Sequence, residues 1–129
     1  MKQILFVCVE NSNRSQMAEA FARMHGAGRV TVFSAGSRPG KLVNPRAIAA
    51  MKEKGYDLNT HQPKRLADIP PGPYDYVITM GCGDACPFVP AVRREDWDLP
   101  DPKDLAPDAF ALVRDEIERK VLALIQRCV

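Results

Sequence analysis

No apolar run in this 129-residue sequence approaches the ~20 residues that a membrane span requires, so no membrane role is expected. The opening MKQILFVCV turns polar at Glu10-Asn11-Ser12-Asn13, without the length or cleavage pattern of a secretion signal. A cytoplasmic protein is the expectation. Charge of one sign is scarce too: 18 Lys and Arg stand against 16 Asp and Glu, scattered along the chain, for a formal net charge of +2. That balance leaves no basic stripe for nucleic acid and no polybasic patch for a lipid surface. Histidine is nearly absent. His25 and His61 lie in no paired spacing and cannot complete a four-ligand zinc site, so both are expected at the surface or at helix ends. Cysteine is sparse, at positions 8, 82, 86 and 128. Structural disulfides need an oxidising compartment, so in a reducing cytosol these thiols are expected to be catalytic, redox-active or buried. Cys128 reads as an incidental thiol on the last helix.

What is present is ordinary globular material, 46% apolar and 26% charged, enough for one domain over residues 1–129. Ile4-Leu5-Phe6-Val7 is a short continuous apolar run, the pattern of a central parallel strand buried on both faces. From Arg14 the pattern turns helical, with Met17, Ala18, Phe21 and Met24 on one face and Gly26 as the stop. Val30-Thr31-Val32-Phe33 reads as a second strand. Asn44-Pro45 reads as an N-cap and first helical residue, opening a helix that stops near Gly55. A proline-rich stretch follows, then a third strand at residues 76–80. Trp97 and Leu99 are expected to mark a short fourth strand. The final helix begins near Pro107 and carries a buried stripe of Phe110, Val113, Ile117, Val121 and Leu124. Alternating strands and helices imply an α/β fold: a four-stranded parallel sheet in a single-domain, three-layer α/β/α arrangement. Ligands of such sheets bind beyond the carboxyl ends of the strands, where Cys8, Ser34, Cys82 and the Asp101 loop would gather.

The sharpest feature is a cysteine, five residues, then Arg14-Ser15, set between a buried strand and a helix. Such a loop can wrap the backbone N–H groups of Val9, Glu10, Asn11, Ser12, Asn13 and Arg14 around a tetrahedral oxyanion, aided by the helix N-terminus. Arg14 can grip two oxyanion oxygens through its planar fork. The same positive surroundings favour the thiolate of Cys8 at neutral pH. Ser15 is placed to donate to that thiolate, and Asn11 to brace the loop through its side-chain amide.

The segment FVCVENSNRSQMAEAF resembles the opening of the low-molecular-weight protein tyrosine phosphatases, and more closely that of the thioredoxin-coupled arsenate reductases sharing their fold. The resemblance continues through SAG at 34–36, NPRAI at 44–48, the VITMGC strand and loop, DWDLPDP at 96–102 and VRDEI at 113–117, nearly the whole chain. It implies the low-molecular-weight phosphatase fold, with Cys8 as nucleophile, Arg14 as oxyanion binder and Asp101 as general acid. Asp98 is the second choice for the acid and Asp84 the third.

In the reductase reading that the resemblance implies, Cys82 attacks the Cys8–arsenic adduct and releases arsenite. Cys86 then attacks Cys82 and leaves a Cys82–Cys86 disulfide for an external dithiol protein. The partners would be an arsenate or phosphate oxyanion and a thiol donor of thioredoxin or glutaredoxin type, with a low-molecular-weight thiol as a further candidate. Three features depart from the family pattern. Cys82 and Cys86 enclose only three residues rather than six. Asn11, Glu19 and Ser34 match ligands of the potassium ion that some relatives bind, but Lys64 stands where a carboxylate is expected, so no metal and no other cofactor is expected. Asn13 replaces a frequent loop cysteine without consequence for the chemistry. The alternative is a phosphatase acting through a Cys8 phosphocysteine, against which the tyrosine-phosphatase aromatics after the acid are missing: Pro102 is followed by Lys103-Asp104. A non-catalytic anion- or phosphoprotein-binding regulator is the remaining reading.

Overall fold

The computed structural model describes residues 1–81 and 88–128. In chain order the elements are β1 (Lys2–Cys8), α1 (Arg14–Gly26), β2 (Val30–Gly36), α2 (Pro45–Lys52), β3 (Tyr74–Thr79), β4 (Ala91–Asp96) and α3 (Pro107–Cys128). Two 3₁₀ turns, Leu58–Thr60 and Leu66–Asp68, lie between α2 and β3. The four strands form one parallel sheet in the order β2-β1-β3-β4. Among the described residues no helix is long and apolar enough to cross a membrane.

β1 is central because Ile4, Leu5, Phe6 and Val7 are apolar in unbroken succession, and all four are fully buried. Ile4 and Phe6 face a core formed with α1, α2 and α3, whose members include Met17, Phe21, Met51, Phe110 and Ile117. Leu5 and Val7 face a smaller cluster with Ala35, Tyr74, Val77 and Val89, covered by Leu66 and Ile69 around the second 3₁₀ turn. The whole expected α3 stripe is buried.

Gly26 does end α1, for a reason other than backbone freedom. A Cβ there would stand 2.6 Å from Val30 Cγ2, so the residue is small to let the helix end close on β2, while the left-handed backbone belongs to Gly28 (φ 79). Asn44 caps α2 as expected, its side chain accepting the Arg46 N–H at 2.8 Å ahead of Pro45 at the first turn. The fourth strand is displaced from its expected place. It runs over Ala91–Asp96, and Trp97 and Leu99 are buried just beyond it. Ala91-Val-Arg-Arg-Glu-Asp96 lacks an apolar pattern because β4 is an edge strand, where charged side chains are common.

The register of the sheet brings the strand ends level with one another. Cys8 pairs with Gly36, Val7 with Thr79, and Thr79 with Asp96, so all four strands end along one edge of the sheet.

Candidate active site

At that edge the chain leaves β1 at Cys8 and enters α1 at Arg14. The backbone between them is held by its carbonyls. Cys8 O accepts from Ser37 N, Val9 O from Arg38 N, Glu10 O from Gly40 N, Ser12 O from Asn44 N and Asn13 O from Met17 N, at 2.9–3.3 Å. Asn11 O accepts from Gln16 Nε2 at 3.0 Å. With each carbonyl from Cys8 to Asn13 drawn outward, the loop offers the polarity of N–H donors to what it encircles, as an anion nest does.

Two residues make this curvature possible. Asn11 adopts φ 52, a left-handed conformation that asparagine tolerates better than most residues. Gly36 lets the loop lie against β2, since a Cβ on it would fall 2.4 Å from Val9 O.

Cys8 is 5% exposed, and its Sγ accepts the Asn11 N–H at 3.1 Å and lies 2.9 Å from Ser15 Oγ. Asn11 Nδ2 donates to Ser15 Oγ at 2.8 Å, which leaves the serine proton free to point at the sulfur. The expected Asn11 brace is thus present, and its Nδ2 also donates to Ser34 Oγ at 3.0 Å. Its Oδ1 accepts from Lys64 N at 2.9 Å and Gln16 Nε2 at 3.0 Å.

A cavity of about 500 Å³ opens over the sulfur. Cys8, Arg14 and Asp101 line it together with Arg38 and Lys103, and no aromatic side chain is among its described lining residues. Arg14 differs from expectation in one respect: its Nη1 donates to Met80 O at 2.6 Å and Leu99 O at 2.7 Å. One corner of the guanidinium therefore ties the end of β3 to the loop that carries Asp101. Asp101 Oδ1 accepts the Lys103 N–H at 3.0 Å. Asp98 lies instead beside Gly81 and does not line the cavity. Cys82, Cys86 and Asp84 lie outside the described residues.

Behind the loop is a second polar cluster. Glu19, 3% exposed, takes Ser34 Oγ on one oxygen and Arg23 Nε on the other. Lys64 Nζ lies 3.4 Å from Glu19 Oε1, 3.5 Å from Ser34 Oγ and 3.1 Å from Gln62 O. Burial opposes ionisation of Glu19, but Lys64, Ser34, His61 and Arg23 together hold its carboxyl below the usual glutamate range. The Lys64 ammonium already stands beside Glu19 and Ser34, and the Lys64 backbone N–H takes Asn11 Oδ1, so these residues do not fit a potassium ion.

His61 stands at a helix end, as expected, capping the 3₁₀ turn Leu58–Thr60. Its side chain is 7% exposed and sits inside this cluster rather than at the surface. Burial, aided by Lys64 and Arg23 and opposed by Glu19, holds the imidazole below its ordinary range. The neutral ring has one tautomer that suits its partners. Nδ1–H donates to Gln16 Oε1 at 2.9 Å, because the Gln16 amide nitrogen is already donating to Asn11. Nε2 then accepts from Tyr56 O–H at 2.6 Å. His25 lies in the last turn of α1, with Nε2 at 2.8 Å from Glu118. A cavity of about 570 Å³ adjoins the cluster. It exceeds the Cys8 cavity, but Glu19, His61 and Lys64 on its wall are already bonded to one another and to neighbours.

Gly36, Gln16, His61, Arg38 and Lys103 join the site without having been expected there. Gly36 had a signal in the Ser34-Ala35-Gly36 strand end; the others carry none without the fold.

Comparison with known proteins agrees with this geometry. The model of the family described as low molecular weight phosphotyrosine protein phosphatase matches residues 3–128. The glutaredoxin arsenate reductase of Synechocystis is 39% identical over 130 residues, spanning 98% of each chain. A solved arsenate reductase in its phosphate-binding state superposes with a TM-score of 0.89 at 37% identity, covering both chains completely. The Corynebacterium glutamicum thioredoxin-dependent arsenate reductase gives a TM-score of 0.79 at 32% identity over 99% of this chain and 62% of its own. With the family's model matched from the first strand to the last helix, this chain belongs to the low molecular weight phosphotyrosine protein phosphatase family.

Proposed function

We propose that this protein is an arsenate reductase in which Cys8 is the nucleophile, Arg14 the oxyanion binder and Asp101 the general acid. The observation that carries the reading is one cavity lined by all three, with Cys8 Sγ already receiving the Asn11 N–H and facing Ser15 Oγ. Arsenate rather than an aryl phosphate is favoured by the cationic, non-aromatic wall of Arg38 and Lys103 and by the names of the relatives.

Arsenate would sit in the nest of N–H groups and meet the Nε–Nη2 edge of Arg14, since Nη1 holds the two carbonyls. Attack of the Cys8 thiolate forms the S–As bond while an oxygen leaves as water, protonated by Asp101. The Cys82 thiolate then attacks Cys8 Sγ. The electron pair of the S–As bond passes to arsenic, which departs as arsenite, and a Cys8–Cys82 disulfide forms. Attack by Cys86 on Cys82 frees Cys8 and leaves a Cys82–Cys86 disulfide, which an external dithiol reduces. The relatives named for glutaredoxin and for thioredoxin make both the donors to try. Phosphate-ester cleavage by the same Cys8, Arg14 and Asp101 is the second reading, favoured by the matching family model.

Arsenite release with each donor system, measured for wild type, Cys8→Ser, Cys82→Ser and Cys86→Ser beside p-nitrophenyl phosphate hydrolysis, separates the two. Arsenite formation should need all three cysteines, and ester cleavage only Cys8. Brisk ester cleavage by the Cys82 and Cys86 variants with no arsenite from any enzyme would make the protein a phosphatase.

A further inference from the structure

Asp101 belongs to the connection between β4 and α3 and is solvent-exposed. Its bonding within that connection is local: Asp101 Oδ1 accepts the Lys103 N–H, and Leu105 N donates to Pro102 O at 3.0 Å, closing a turn around it. Such a turn has an internal shape but no fixed place over Cys8 unless its ends are held. Both ends are held by arginines. Upstream, Arg14 Nη1 grips Leu99 O. Downstream, Arg46 Nη1 donates to Leu105 O at 2.6 Å and reaches Lys103 O at 3.5 Å.

Arg46 is itself set by the oxyanion loop. Asn44, two residues before it, donates its N–H to Ser12 O at 3.0 Å and caps the Arg46 N–H with its side chain. A short path thus runs from Ser12 through the first turn of α2 to the carbonyls just past Asp101. Arg46 does not line the Cys8 cavity, so it can act on the reaction only through what it holds.

We propose that Arg46 is a positioning residue for the general acid: its guanidinium clamps the carbonyls of Lys103 and Leu105 so that the Asp101 carboxyl stands over the leaving oxygen. This rests on the assignment of Asp101 as the acid. The effect is geometric, because displacement of a reacting group by about 1 Å costs up to about 10²-fold in rate.

The test is single-turnover arsenite formation, with reduced full-length enzyme in excess over arsenate, for wild type, Arg46→Ala, Arg46→Lys, Asp101→Asn and the Arg46→Ala/Asp101→Asn double variant. Arsenate affinity, the rate of Cys8 alkylation by iodoacetamide and the melting temperature are measured on each. Asp101→Asn should slow the step by about 10²-fold. Arg46→Ala should slow it by about tenfold with affinity and Cys8 alkylation unchanged, and Arg46→Lys should recover most of the loss. The double variant should be no slower than Asp101→Asn alone, since a clamp on a missing acid has nothing to place. A wild-type rate for Arg46→Ala, or a loss that multiplies onto that of Asp101→Asn, overturns the clamp. A wild-type rate for Asp101→Asn overturns the acid assignment itself, and the clamp with it.

Discussion

The two sides of the loop at residues 9–13 are built from similar residue types and differ in what they leave open. Behind it, Glu19, Ser34, Lys64, Gln16, His61 and Tyr56 bond one another around Asn11, with carboxylate, ammonium, amide and imidazole all supplied by the chain. In front, the carbonyls are drawn away, and the donors of the loop, one edge of Arg14 and the Cys8 sulfur face a cavity. A buried polar network is stabilising only when its members are satisfied. The closed side therefore holds a strained backbone in place, and the open side can take a ligand that supplies the missing negative charge.

Arg14 belongs to the open side yet also ties Met80 to Leu99, so its loss should have the largest effect. Arg14→Lys keeps a positive charge but loses the fork, so oxyanion binding and the acid loop fail together. Arsenite formation should fall by about 10²-fold or more, read from kcat/KM.

Gly36 comes next, at the join of the two sides. In Gly36→Ala the methyl meets Val9 O at 2.4 Å, and a backbone oxygen cannot move without the loop. We expect about 1–3 kcal/mol of lost stability, measured by urea unfolding, together with slower alkylation of Cys8.

How much of this was legible in the sequence depended on distance along the chain. Cys8, Arg14 and Ser15 stand within one short segment, and β1 announces itself by four apolar residues in a row. The Arg46 contact with Leu105 spans 59 residues and that of His61 with Gln16 spans 45, so neither leaves a local pattern. β4 was misplaced because an edge strand of mostly charged residues has no apolar alternation, whereas Trp97 and Leu99, which do look strand-like, are buried after it ends. His61 stands at a helix end as expected, but a single histidine in a polar, proline-rich stretch gives no sign that a glutamine on α1 will accept its N–H.

The closed side is sharpened by pH. The folded pKa of His61 lies below its ordinary 6.5, chiefly through burial, so the unfolded chain binds the extra proton first. Stability is therefore complete above about pH 6.5 and falls as the pH drops through that value toward the folded pKa. Glu19, also depressed although burial opposes it, contributes stability above its ordinary 4.5 that is lost as the pH falls through its folded pKa. Urea midpoints should decline in both windows, and His61→Gln should flatten the upper one.

The smallest expected effect is that of potassium. With Lys64 Nζ beside Glu19 and Ser34, exchanging sodium for potassium should leave kcat and KM for arsenate unchanged. Lys64→Asp, which opens that place, should create a potassium dependence.

The most direct test of the central claim is mass spectrometry of the reduced enzyme after one equivalent of arsenate, without any external reductant. The expected product is a protein lighter by two hydrogens, with Cys82 and Cys86 joined, Cys8 free and arsenite in solution. An unchanged mass with arsenate recovered intact would contradict it, and would leave the Cys8 cavity as a site for phosphate esters.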